Sequence, residues 1–367
     1  MGKGIVKLGE GNWAVKDGNL LAAKETNGRF KNAEFTVDRG TDATYVGRDG
    51  LIVNETGDDT PRIDFTDNTD GHLLLEPQST NLVTYSEDFE QWQSFGSITI
   101  NSNFATSPDG TQNASRLQWT NATNYIYQSL SHIGNDHTLS IYMKSNTASS
   151  QSVRLFMDNG AQGQDANVTT EWQRFTFSNS SATTQSNRNV GLIKSGTQVG
   201  DLDILIAFAQ FEALPYPTSY IPTNGSTVTR DAETCTGAGS SADFNSEEGV
   251  LYAEIAALAN DGTTRRISLS DGSTSNRVSL ELDETSNIIK AFISSGGVSQ
   301  ILQYTASDLT QYNKIAIKYK VNDFALWLGG VERDTDTFGS VPIGLNTLEF
   351  AQGSGSQKFY GKCKSIR

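Results

Sequence analysis

Cysteine is scarce in this chain of 367 residues: there are two, Cys235 and Cys363, far apart and in no metal-binding or redox spacing. Two thiols cannot make a disulfide framework, so each is expected to be a free thiol, buried or half-buried. Positive charge is also short, with 28 Lys and Arg against 42 Asp and Glu and a net charge of −14. That balance repels phosphate backbones and anionic lipid surfaces, which excludes nucleic acid as a partner. No apolar run reaches the ~18 residues of a membrane span, since the nearest, 202–211, is broken by Asp203, so no membrane insertion is expected. The N-terminus carries no apolar signal core, and the general secretory route is not expected. Histidine stands at three residues, and the G-x-S-x-G, H-E-x-x-H and G-x-x-x-x-G-K patterns are all missing, which leaves nucleophilic hydrolysis without support.

Glycine is plentiful, at 34, amid many Ser, Thr and Asn, the composition of short strands joined by turns. Five Trp, 12 Tyr and 17 Phe supply enough apolar surface for folded cores. Where apolar periodicity is clear it is two. Val153, Leu155 and Met157 alternate with Arg154 and Phe156, and Leu202, Ile204, Ile206 and Phe208 with Asp203, Leu205 and Ala207. Val278, Leu280 and Leu282 form another stripe, as do Ile315, Ile317, Tyr319 and Val321. One short helical turn is expected over 86–92, capped by Ser86.

The fold class is therefore all-β: two antiparallel β-sandwiches preceded by an irregular Gly-rich N-terminal attachment region. Residues 1–84 are expected to dock on other chains, because their apolar pieces are too scattered for a core. Residues 85–233 form a jelly roll, 234–246 a linker, and 247–367 a second sandwich.

Sugar binding by such a scaffold uses exposed rings that stack on pyranose faces, with loop amides supplying hydrogen bonds. Trp119, Tyr125 and Tyr127 are the candidate rings, with Asn121 and Asn124 beside them; Trp172 and Trp327 are expected to be packing residues. A calcium ion, the one cofactor considered, would draw on the acidic loop Asp58, Asp59, Asp64, Asp67 and Asp70, with Asp64, Asp67 and Asp70 as ligands, although EF-hand spacing is lacking. Glu281 with Asp283, and Glu171 with Glu212, are the carboxylate pairs a glycosidase would need, and a solvated edge is the expectation for each. His132 and His137 are assigned to a turn.

Seven stretches carry a resemblance. The segment 35–52, then Pro61-Arg-Ile-Asp-Phe65, then the segment 73–89 resemble the opening of bacteriophage and prophage structural proteins of the tail-fibre and head-fibre type. Glu171 to Phe177 resembles a strand of carbohydrate-binding jelly rolls, and Pro217 to Arg230 the exit from such a domain. The segments 309–319 and 325–330 are similar to concanavalin A-like and laminin-G-like sandwiches. The resemblance implies a non-enzymatic virion surface subunit, a fibre, spike base or decoration, made in the host bacterial cytoplasm. It also implies a homotrimer, contacts to capsid, tail or adaptor proteins, attachment to host-surface polysaccharide, and the structural calcium of jelly rolls. The rival readings are a polysaccharide depolymerase or lyase and a bacterial glycan-binding adhesin.

Overall fold

The computed structural model describes residues 5–26, 29–57, 59–66, 68–130, 136–158, 162–179 and 188–367. It is all-β, as the periodicity predicts, and its sheets are antiparallel throughout.

The middle sandwich packs two five-stranded sheets face to face. One runs Gln93–Phe95, Tyr125–Leu130, Arg188–Lys194, Gln151–Met157 and Gln162–Val168; the other Thr99–Ala105, Ala114–Trp119, Leu202–Glu212, His137–Ser145 and Gln173–Asn179. Alternation sends Ile126, Val153, Leu155, Leu117 and Ile204 into the shared core. The stripe in Leu202–Glu212 breaks at one place. Phe208 adopts φ +57, the register against His137–Ser145 slips there, and Ala209 and Phe211 take the core positions instead. Phe208 is thereby turned out of that core, onto Tyr220 at 4.6 Å between ring centroids.

The second sandwich is not confined to 247–367. Its five-stranded sheet runs Val298–Thr305, Ile288–Ser295, Arg277–Leu282, Arg265–Ser270 and Thr347–Glu349. The opposing sheet has 12 strands and begins with the N-terminal residues. Ile5–Gly9 pairs with the last strand, Gly361–Ile366, bringing Leu8 opposite Ile366, and the hairpin of Asn19–Thr26 with Arg29–Asp38 extends the sheet outward. Val6, Leu8, Leu20, Phe35 and Val37 join Leu251, Ile267, Leu280 and Ile317 in one core, and Phe35 meets Phe350 edge-on at 5.5 Å. The expectation of an irregular leader ordered by other chains is thus corrected for residues 5–38. Val6 with Leu8, Leu20 with Ala22, and Ala33 with Phe35 and Val37 alternate along their strands, and this apolar face is buried within their own chain. The expected linker is also a docked segment, since Thr234–Thr236 pairs with Arg29–Asp38 and Lys24 with Asp243. The middle sandwich is consequently an insertion between strands of one sheet.

The helical turn is a single 3-10 turn, Phe89–Gln91, capped by Asp88 rather than Ser86. Ser86 is fully buried and accepts from Thr223 N at 2.8 Å.

Where the two sandwiches meet, three arginines and two glutamates are buried together. Arg39 and Arg62 both reach Glu233, and Arg62 and Arg230 both reach Glu76 at 2.9 Å. Ser219 completes the set, donating from N to Glu76 Oε1 at 2.8 Å and from Oγ to Oε2 at 2.6 Å. Burial alone would raise the Glu76 carboxyl, but Arg230 and Arg62 outweigh it and hold the group down at about 2. Arg39, Arg62, Glu76, Ser219 and Arg230 come from the segments 35–52, 61–65, 73–89 and 217–230, and Glu233 follows them, so part of what makes those stretches distinctive is a shared structural joint.

Candidate functional site: an aromatic sheet face

Strand alternation places Tyr125 and Tyr127 on the outer face of the middle sandwich, opposite in direction to Ile126. Strand pairing then decides their company. One row across the sheet reads Phe95, Tyr125, Ile193, Arg154, Asp165; the next reads Gln93, Tyr127, Gly191, Phe156, Gly163. Phe95 stacks on Tyr125 with centroids 5.2 Å apart and planes 16° apart. Tyr125 meets Tyr127 at 5.4 Å and the edge of Phe156 at 5.6 Å. Gly191 is required by this packing, because a Cβ there would lie 1.9 Å from Ile126 O.

The outcome is a contiguous aromatic cluster on the outer face. Phe95 is 55% exposed, the tyrosines are half-buried, and Phe156 is a buried floor. Polar groups border it: exposed Gln93 beside Tyr127, and the Arg154–Asp165 ion pair at 3.1 Å beyond Ile193. Ser195 Oγ donates to Asp165 Oδ2 at 2.7 Å, a bond that is the main cause of the lowered Asp165 carboxyl. Hydrophobic rings next to fixed hydrogen-bonding groups match the two faces of a sugar ring.

The other expected site residues fall elsewhere. Trp119 is a core residue at 2% exposure, because Leu117 and Trp119 share the inward face of Ala114–Trp119. Asn121 is exposed and braces its own loop, its Oδ1 accepting from Thr123 N at 3.0 Å. Asn124 is buried and donates to Ser97 O at 2.8 Å. Its side chain occupies the space above Gly96, whose φ of +79 forms the turn after Phe95, so Asn124 positions that ring. Phe95 and Phe156 were not singled out in the sequence. The outward parity of Phe156 was visible there, but the pairing that brings Phe95 alongside was not.

In the acidic loop, Asp64 is buried and spends its carboxylate on backbone amides, accepting from Val46 N and Thr66 N at 2.8 Å each. Asp59 accepts from Arg39 N at 2.7 Å, and exposed Asp70 offers its carbonyl to Trp13 Nε1 at 2.8 Å. Asp58 and Asp67 lie outside the described residues, as does His132. Among the described residues no three His, Cys, Asp or Glu side chains are grouped to hold a metal ion.

Three of the four carboxylates proposed in pairs, Glu281, Asp283 and Glu212, are buried and engaged rather than on a solvated edge, and Glu171 alone is exposed. Glu281 is buried against Arg266, and burial raises its carboxyl. Burial also acts upward on Asp283, but bonds from Lys290 and Thr285 bring it down to about 2. Glu171 is exposed in the turn before Gln173, whereas Glu212 lies opposite Thr138 at the other end of the neighbouring strands and accepts from Ser79 Oγ at 2.6 Å. His137 begins a strand, not a turn, and stacks on Phe211 at 5.0 Å. Trp172 is half-buried and donates to Thr106 O at 3.1 Å. Trp327, expected to pack, is 37% exposed opposite Ala316. Both cysteines are free and buried.

No protein-family model matches the chain, and no curated protein matches it. Among solved structures it is similar to the exo-β-1,3-galactanase of Phanerochaete chrysosporium in complex with β-1,3-galactotriose, at 11% identity and a TM-score of 0.26, over 53% of this chain and 52% of that one. The chain thus spans about half the length of that galactanase. It is also similar to domains LG4-5 of the mouse laminin alpha1 chain, at 8% identity and a TM-score of 0.26, over 75% of this chain and 89% of that one. The LG1-3 region of the laminin alpha2 chain aligns at 11% identity and a TM-score of 0.19, over 99% of this chain and 91% of that one. Superpositions at this level carry no assignment of function.

Proposed function

We propose that the protein is a non-enzymatic glycan-binding subunit displayed on a virion surface, and that it engages neutral sugars on the outer face of its middle sandwich. The observation that carries the sugar-binding part is the contiguous Phe95, Tyr125 and Tyr127 face over Phe156, bordered by Gln93 and the Arg154–Asp165 pair. Phe95, 55% exposed, leaves much of its ring free to meet a ligand beside the tyrosines. The virion setting is supported by the resemblance of segments 35–52 and 73–89. Homotrimerisation and contacts to capsid, tail or adaptor proteins belong to the same reading. Attachment through residues 5–38 would have to use their outer face and edges, because their inner face is buried in the second sandwich. The engagement of Glu281, Asp283 and Glu212 in ion pairs and hydrogen bonds favours binding over the depolymerase alternative.

A glycan array probed with the full chain and with Phe95→Ala/Tyr127→Ala tests the site. Binding to neutral oligosaccharides by the former and its loss in the latter is expected; equal binding by both refutes it. Release of new reducing ends from any bound polysaccharide would instead establish the depolymerase. Immunogold labelling of particles with an antibody to this chain tests the virion setting, and unlabelled particles would remove it.

A further inference from the structure

A cavity remote from the aromatic face lies at the seam of the two sandwiches. It has a volume of about 340 Å³ and draws its walls from three parts of the chain: Tyr45 and His72, Tyr142 and Arg174, and Leu258 and Lys362. That volume lies at the lower end of the ~300–1,000 Å³ typical of small-molecule sites.

Its charged groups divide into committed and uncommitted ones. Asp64 is held by the amides of Val46 and Thr66, and Glu76 by Ser219 and by Arg62 and Arg230. The cations are freer. Arg174 donates from Nη1 to Thr218 O at 2.7 Å and from Nη2 to Ser140 Oγ at 2.8 Å, while its Nε is buried without a partner. Lys362 has no ion-pair partner among the described residues, although it lines the same space. His72 is fully buried, and neither ring nitrogen has a hydrogen-bond partner; its Nε2 stays 3.6 Å from Asp64 Oδ1. A buried polar group left this way is costly, and a ligand that hydrogen-bonds to it recovers that cost.

Lys362, with no ion-pair partner among the described residues, and Arg174, whose Nε–H alone is unpartnered, favour an anion in this space. Ile52, Leu74, Leu258 and the Tyr142 ring make much of the wall apolar, which a hydrated inorganic ion would leave unfilled. A neutral imidazole offers one donor and one acceptor, the complement of a hydroxyl group. We propose that this cavity binds a small hydroxylated ring carboxylate, a sugar acid of the uronic type, with its carboxylate between Arg174 and Lys362 and a hydroxyl on His72. Such a ligand touches both sandwiches and fastens them together.

Calorimetric titration of the full chain with D-glucuronate tests this, with D-glucose and inorganic phosphate as controls. Saturable glucuronate binding is expected, with both controls at least tenfold weaker. Lys362→Met should weaken glucuronate at least tenfold, and Leu258→Trp, which fills the cavity without touching a charge, should abolish binding. Neutral-glycan binding on the array in Phe95→Ala/Tyr127→Ala and glucuronate titration of Lys362→Met are separate assays, so that failure of the aromatic platform and failure of this cavity are read separately. No saturable binding, equal affinity for phosphate or glucose, or retained binding in both cavity variants would overturn the proposal.

Discussion

Arg62 and Glu233, 171 residues apart in sequence, form a two-pronged ion pair in the interior, with Arg62 Nε donating to Glu233 Oε1 at 2.8 Å and Nη2 donating to Oε2. Both side chains have 0% exposure. A buried charge is tolerated only when it is paired and hydrogen-bonded, and here Arg39, Glu76 and Arg230 continue the pairing. The joint therefore ties the N-terminal block, the exit from the middle sandwich and the start of the second sandwich into one unit.

Removing one member strands the others. Arg62→Met is expected to lower unfolding free energy by about 3–5 kcal/mol, because Glu233 and Glu76 lose a shared cation in a buried site. Urea denaturation followed by tryptophan fluorescence measures this; a change below about 1 kcal/mol would mean the charges are solvated.

His72 makes stability depend on pH. Burial lowers its pKa from 6.5 to about 4, against the opposing pull of Asp64, while Lys362 and Lys364 add to the lowering and Glu76 opposes it. Between those two values the unfolded chain binds the proton more readily than the folded one. Stability is thus complete above about pH 6.5 and falls as the pH drops toward 4, by roughly 3 kcal/mol in the limit. His72→Gln should flatten that part of the profile, and an unchanged slope would contradict the assignment.

On the aromatic face, exposure separates function from folding. Phe95→Ala should weaken glycan binding about tenfold and shift the melting temperature by only a few degrees, since the ring is 55% exposed. Phe156→Ala, at 1% exposure, should instead cost about 3–5 kcal/mol of stability. Equal melting temperatures for the two variants would place Phe156 outside the packed floor.

The thiols of Cys235 and Cys363 are both pushed well up by burial, so little thiolate forms near neutrality. Ellman's reagent should find neither in the native protein and both in guanidinium chloride. Rapid native labelling would show that the core around Leu73 and Ile255, which flank Cys363, opens.

Deleting residues 1–38 should leave the last strand, Gly361–Ile366, without its Ile5–Gly9 neighbour and expose the core face that Phe35 and Leu20 cover. Aggregation of the truncated chain during size-exclusion chromatography is expected. A monodisperse, fully folded product would return the N-terminal block to the role of an appendage.

Much of this was readable residue by residue. Period-two stripes mark strands because successive side chains leave a strand on opposite sides, and that local rule placed Tyr125 with Tyr127, Ile315 with Ile317, and the whole chain in the all-β class. The same rule failed at Phe208, where a residue with φ +57 inverted the parity of everything after it. Which strands lie side by side is a different kind of fact. Hydrogen-bond ladders between distant segments carry no periodic mark in either partner, so nothing local announced that Leu8 would face Ile366, that Phe95 would stack on Tyr125, or that Arg62 would find Glu233. The chain's own alternation fixed the faces; only folding in three dimensions chose their neighbours, because the energy that selects a register comes from burying both faces at once.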